Sequence, residues 1–225
     1  MRNLLISFGL LLSACATMSG GTKSSSASGP CPGKDAVEKR KLEIVEAHKV
    51  ANGCLKGDGI KGGYFAITAN AAGKLSAQQV KWDGPPTVAQ CVIDAASKAA
   101  LAPLTGPPVG ALWMFWAPGA EPPEQQLPPD MEGKLAPVNQ NLQDEVRSCE
   151  ERFLGQEFYA EVKLTVFLTA EGKAYAPSLT DSNSHDGAFD GCVLDAVAKE
   201  KFPALDIVNP VAIPLAYKVG SSGKT

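Results

Sequence analysis

The chain has 225 residues, with 21 Lys and Arg against 24 Asp and Glu, a net charge of −3 and six cysteines. Mixed signs with a slight acidic excess leave no basic footprint for nucleic acid, so no nucleic-acid partner is expected. With only two histidines, His48 and His185, and no Gly-rich phosphate loop, the sequence offers no nucleophile–base pair, so no catalytic residue and no cofactor is assigned.

Arg2 supplies a positive charge near the start, followed by an apolar run over residues 4–12 that is too short to span a bilayer as a mature helix. Leu12-Ser13-Ala14-Cys15 then resembles the lipobox of bacterial lipoproteins. That resemblance implies a leader over residues 1–14, cleavage before Cys15 and acylation of Cys15; an ordinary signal peptide with an incidental cysteine is the alternative. Several acyl chains on one residue anchor stably where a single chain does not. The compartment beyond is oxidising, so disulfides persist there. Ala16, where a retention signal such as Asp would otherwise stand, points to the outer membrane.

Residues 15–33 are rich in Ser, Gly, Thr and Ala, cannot form a core, and read as a flexible tether. Residues 34–52 read as a helix ended by Gly53, with Ile44, Ala47, Ala51 and Cys54 near one face and His48 on the solvated side. Residues 64–71 and 75–82 around Gly73-Lys74 read as a hairpin, with Phe65, Ile67 and Ala69 alternating inward. Pro85-Pro86-Thr87 opens a helix to about Ala99, since Pro suits a first turn. A third strand follows over residues 111–116.

The pattern then recurs. Across a Pro-rich linker at 118–134, Leu135, Val138, Leu142, Val146, Cys149 and Phe153 step by three and four as a helix. Residues 159–169 and 173–179 make a second hairpin, 189–201 a second helix and 211–219 a last strand. The octapeptides Cys91–Lys98 and Cys192–Lys199 agree at five of eight positions, and Gly-Lys turns, upstream cysteines and downstream prolines match around them. This is a tandem duplication. The fold expected is α+β: two α-β-β-α-β modules, 34–117 and 135–220, each a three-stranded antiparallel sheet with helices on one face.

Repeat symmetry places one bridge in each module, Cys54–Cys91 and Cys149–Cys192, against free buried thiols or a zinc site. No CxxC or clustered His supports zinc. Asp181, Asn183, His185, Asp186 and Asp190 crowd one loop loosely similar to a calcium loop. Its glycine falls one place late, at Gly187, and Cys192 stands where a Glu ligand belongs, so turn formation and helix capping account for these residues and no metal set is assigned.

In the second module, residues 162–168, Gly172-Lys173, Cys192-Val193, Ala196-Val197, Phe202-Pro203, the run 211–215 and Tyr217 resemble the C-terminal domain of TonB-like energy transducers. The resemblance implies a periplasmic domain whose last strand lies at the sheet edge and pairs with a short partner peptide. With a cleaved leader instead of a retained membrane helix, the expectation is a tethered, non-enzymatic adaptor that binds an envelope protein and touches the membrane through Cys15. The alternatives are a structural component of a secretion, motility or cell-wall complex that uses no strand addition, and an envelope enzyme or enzyme inhibitor.

Aligning Trp116 with Tyr217 sets Leu112, Met114 and Trp116 inward and turns Trp113 and Phe115 outward. Pro210 and Pro214, which lack an N–H, would blunt the second module's closing edge. Tyr64, Trp113 and Phe115 are therefore the expected partner-binding face, with packing of that face against the second module as the alternative.

Overall fold

The computed structural model describes residues 34–117, 120, 127–154 and 159–220. Cys15, the leader, the tether with Cys31 and the middle of the Pro-rich linker lie outside them.

The first module runs α1 (Lys34–Ala51), a short 3-10 turn (Asn52–Cys54), β1 (Gly62–Ala69), β2 (Leu75–Asp83), α2 (Pro86–Lys98) and β3 (Val109–Trp116). The second runs α3 (Met131–Phe153), β4 (Ala160–Leu168), β5 (Ala174–Ser182), α4 (Gly187–Lys199) and β6 (Val211–Val219). The sheets are antiparallel and ordered β2-β1-β3 and β5-β4-β6, which is the two-module α+β layout expected, with each closing strand at an edge. Helix α3 starts at Met131, ahead of the apolar stripe that begins at Leu135, and carries Pro137 near its start. There the missing N–H leaves the Gly133 carbonyl without its helical partner, one turn beyond the unbonded N–H groups of the helix start.

Each hairpin turn is clasped by the loop that follows the second helix. Gly73 and Gly172 adopt φ of +79° and +74°, a conformation that glycine takes without a Cβ penalty. A Cβ at either would overlap a main-chain oxygen, of Leu101 or of Phe202. The Leu104 N–H donates to Ala71 O and the Leu205 N–H to Ala170 O, both at 2.8 Å. In the first module the buried guanidinium of Arg40 adds to this clasp, donating to Asn70 O at 3.2 Å and to Ala102 O.

One face of each sheet carries the module's core. Phe65, Ile67, Ala69, Ala111, Trp113 and Phe115 pack under α1 and α2. Val162, Leu164, Val166, Leu168, Ile213, Leu215 and Tyr217 pack under α3 and α4. The opposite faces meet: Ala66, Tyr175 and Ala176 form a small cluster with Val80 and Phe167, and β3 lies against β5. At that crossing Gly110 has no side chain to hold Ala176 away, and an added Cβ would run into Ala176 O. The contact is between unlike surfaces, because β6, the counterpart of β3, makes no comparable approach to β2, the counterpart of β5.

Gly110→Ala is expected to lower stability by about 1–3 kcal/mol through overpacking at this crossing. Gly191→Ala, in α4 with open space around the new methyl, should raise it by about 0.5–1 kcal/mol. Urea midpoints of the two variants against the parent protein measure both.

Candidate functional site

The bridges Cys54–Cys91 and Cys149–Cys192 are both formed, with Cα atoms 5.8 and 5.9 Å apart. Each ties the end of a module's first helix to the start of its second. They close loops of 37 and 43 residues, for which the chain-entropy contribution is about 4 kcal/mol each.

The expected partner-binding face does not exist as a surface. Tyr64, Trp113 and Phe115 are only 1%, 3% and 1% exposed. Trp113 pairs with Phe65 and Phe115 with Gly63, so both rings point to the helix side of the sheet, while Tyr64 points to the back and meets Trp116 edge-on. The inward set is therefore Ala111, Trp113 and Phe115, and Leu112, Met114 and Trp116 lie on the back. The cause is a shift of one residue. Val109 pairs with Ala69 and Val211 with Leu168, which aligns Phe115, not Trp116, with Tyr217. A slip of one residue turns every side chain of a strand to the other face.

His48 was placed among solvated residues and is instead buried. Its ring lies 5.4 Å from Trp113 and 4.7 Å from Phe115, and Nε2 is 3.2 Å from Met114 O on the outer edge of β3. In the second module Gln143 serves the same edge, donating from Nε2 to Lys218 O at 2.9 Å. Counting back from Cys54 and Cys149, His48 and Gln143 hold the same place. Burial holds the His48 imidazole below its ordinary pKa, and the bond to Met114 offsets part of that. Spacing was the available signal: Arg40, Ile44, His48 and Ala51 step by four and three along one helix face.

The acidic loop splits into two structural roles. Asp186 caps α4, accepting from the N–H groups of Ala188 at 2.8 Å and Phe189 at 2.9 Å. Asp190 points into the core and accepts from the hydroxyls of Ser182 and Ser184, each at 2.7 Å. Burial pushes its carboxyl above the usual range, against those two hydrogen bonds. Among the described residues no three His, Cys, Asp or Glu side chains converge as a metal site.

What the fold does leave open is a groove of about 650 Å³ between α3 and α4, with the Cys149–Cys192 bridge in its lining. Its volume falls within the range of about 300–1,000 Å³ typical of ligand pockets. The two helices run in opposite directions, since α3 descends to β4 and α4 rises from the end of β5. Arg152 and Phe153 thus share one end with the start of α4, and Glu145, Asp195, Lys199 and Glu200 lie toward the other. The repeated octapeptide supplies both parts of this wall: Val193 and Val197 enter the core, while Asp195 and Lys199 line the groove.

Among the described residues no helix is long and apolar enough to cross a membrane. Neither protein-family models, nor curated proteins, nor solved structures match this chain.

Two of the buried titratable groups, His48 and Asp190, respond oppositely to acid. A depressed folded pKa at His48 means stability is present above about pH 6.5, the free imidazole value, and is lost as pH falls below it. A raised folded pKa at Asp190 means the buried carboxylate costs stability at neutral pH, and stability returns as pH falls through that raised value. His48→Gln should flatten the acid limb of the first module and Asp190→Asn that of the second. Amide exchange of each module against pH checks both.

Proposed function

We propose that this protein is a non-enzymatic, lipid-anchored adaptor on the periplasmic side of a bacterial envelope, held by acyl chains on Cys15, in the outer membrane, and binding an envelope protein. The observation that carries the reading is the open groove over the Cys149–Cys192 bridge. It is charged at both ends and walled by two helices that the bridge holds together. Two disulfides in so small a pair of modules agree with an oxidising compartment.

Strand addition is the second reading. Pro214 is exposed on the edge strand β6 and has no N–H to offer, and His48 sits on the outer edge of β3. That favours β2, which has no proline, as the strand able to accept a partner. The TonB-like likeness supports this reading through its edge-placed closing strand, although β6 is proline-blunted.

Arg152→Glu together with Asp195→Lys should reduce partner capture from crosslinked envelopes by about tenfold, as expected for losing charge pairs worth about 1.4 kcal/mol, with Tm unchanged. Capture at the parent level would sink the groove reading, and loss caused instead by a proline in β2 would favour strand addition. Cys15→Ser should leave an unprocessed, unacylated precursor. Fatty-acid label retained by that variant places the anchor elsewhere.

A further inference from the structure

The duplicated modules hold their first helices in different ways. Aligned on Cys54 and Cys149, the apolar stripe of α3, Leu135, Val138, Leu142 and Val146, falls on Arg40, Glu43, Ala47 and Ala51 of α1. Helix α3 therefore buries four branched aliphatic side chains besides its cysteine. Among the described side chains, α1 sets Ile44 and two alanines against its sheet, with the polar side chains of Arg40 and His48 filling the space beside them. Since apolar area removed from water sets the strength of such packing, α1 is the weakly held helix and leans more on its disulfide.

The bridges also differ in access. Cys91 is exposed on α2 and Cys54 is half-buried, whereas Cys149 is 3% exposed and Cys192 half-buried in the groove wall. Thiol–disulfide exchange needs the attacking sulfur to reach the bridge along its axis; Cys91 offers an exposed end, whereas Cys192 is reached only through the groove between α3 and α4, and the two bridges differ in degree of access. What α1 covers is specific. Its His48 lies over Trp113 and Phe115, the aromatic wall of the first module's core.

We propose that Cys54–Cys91 is a redox latch on α1: a dithiol reductant opens it at Cys91, releasing α1 from Trp113 and Phe115, while Cys149–Cys192 stays closed. In the first step a thiolate of the dithiol attacks Cys91 Sγ. The Cys54–Cys91 bond breaks, a mixed disulfide forms, and Cys54 leaves as a thiolate that takes up a proton. The second thiol of the reductant then attacks its own partner sulfur and releases Cys91 as a thiolate, which is protonated in turn. The protein bridge gains two electrons and the dithiol is oxidised to a disulfide. The outcome is an exposed aromatic face on β3 in the reduced protein and a buried one in the oxidised protein, with the second module unchanged.

The test uses the full chain without denaturant and dithiothreitol as the dithiol. Thiols are alkylated over time and the four bridge cysteines followed by peptide mapping, with amide exchange recorded on the same samples. Cys54 and Cys91 should become alkylated about tenfold faster or more than Cys149 and Cys192, as their access differs. Exchange in α1 should rise while α3 stays protected. Equal rates, earlier opening of Cys149–Cys192, or an α1 that stays protected once its bridge is reduced would each overturn the proposal. The double variant Cys54→Ser, Cys91→Ser should show the open α1 without reductant. Loss of protection in α3 as well would make the bridge a general folding requirement and refute the latch. The reduction time course on the unsubstituted protein needs no variant.

Discussion

The clasp between each hairpin turn and the loop after the second helix is the constraint on which the rest depends. Two backbone segments approach so closely at Gly73 and Gly172 that no side chain fits between them. Once Leu104 and Leu205 are bonded to the turn, the chain enters the closing strand from a pinned point, and pairing with β1 or β4 sets its register. The two loops from that point differ by one residue: Val109 lies five positions beyond Leu104, and Val211 six beyond Leu205. A loop absorbs an extra residue at small cost, whereas a strand cannot shift by one without exposing its core face.

A three-stranded sheet covered on one face still exposes the other, and a small module gains little by leaving it wet. Here the two bare faces cover part of each other, and β1 is buried on both sides along nearly its whole length. The interface joins unlike surfaces, and that asymmetry has a consequence at the ends. Where Gly110 lets β5 approach, the second module has Ala212, and the positions matching Phe167 and Tyr175 are Thr68 and Ser76. The first module is thus polar at the surface that corresponds to the apolar one the second module brings to the crossing.

The duplicated modules have also divided their labour in how they fill space. The second packs aliphatic side chains from α3 and holds the buried carboxyl of Asp190 with two serines. The first has Arg40 where the second has Leu135, buries His48 where the second has Gln143, and satisfies each with backbone carbonyls. Buried polar groups that are fully bonded specify geometry more than they add stability. The same disulfide therefore reinforces a well-packed helix in one module and holds down a thinly packed one in the other.

The sequence by itself determined the module count, the order of elements, the sheet type and both disulfides, because these depend on local periodicity, on turn glycines and on a repeated cysteine spacing. Phe65, Ile67 and Ala69 alternate inward as their pattern requires, and the Pro86 start of α2 follows from proline's missing N–H. Tertiary structure alone decided which face of β3 is buried. The run 109–116 is apolar on both faces, so alternation carries no sign, and only pairing with β1 chooses between Trp113 and Trp116. It likewise decided the fate of His48, because a polar residue on an apolar helix face can be solvated or bonded inside, and Met114 O settles the matter only once β3 is in place. The groove between α3 and α4 was not legible either, since its lining comes from two helices whose separation is set by the sheet beneath them and the bridge between them.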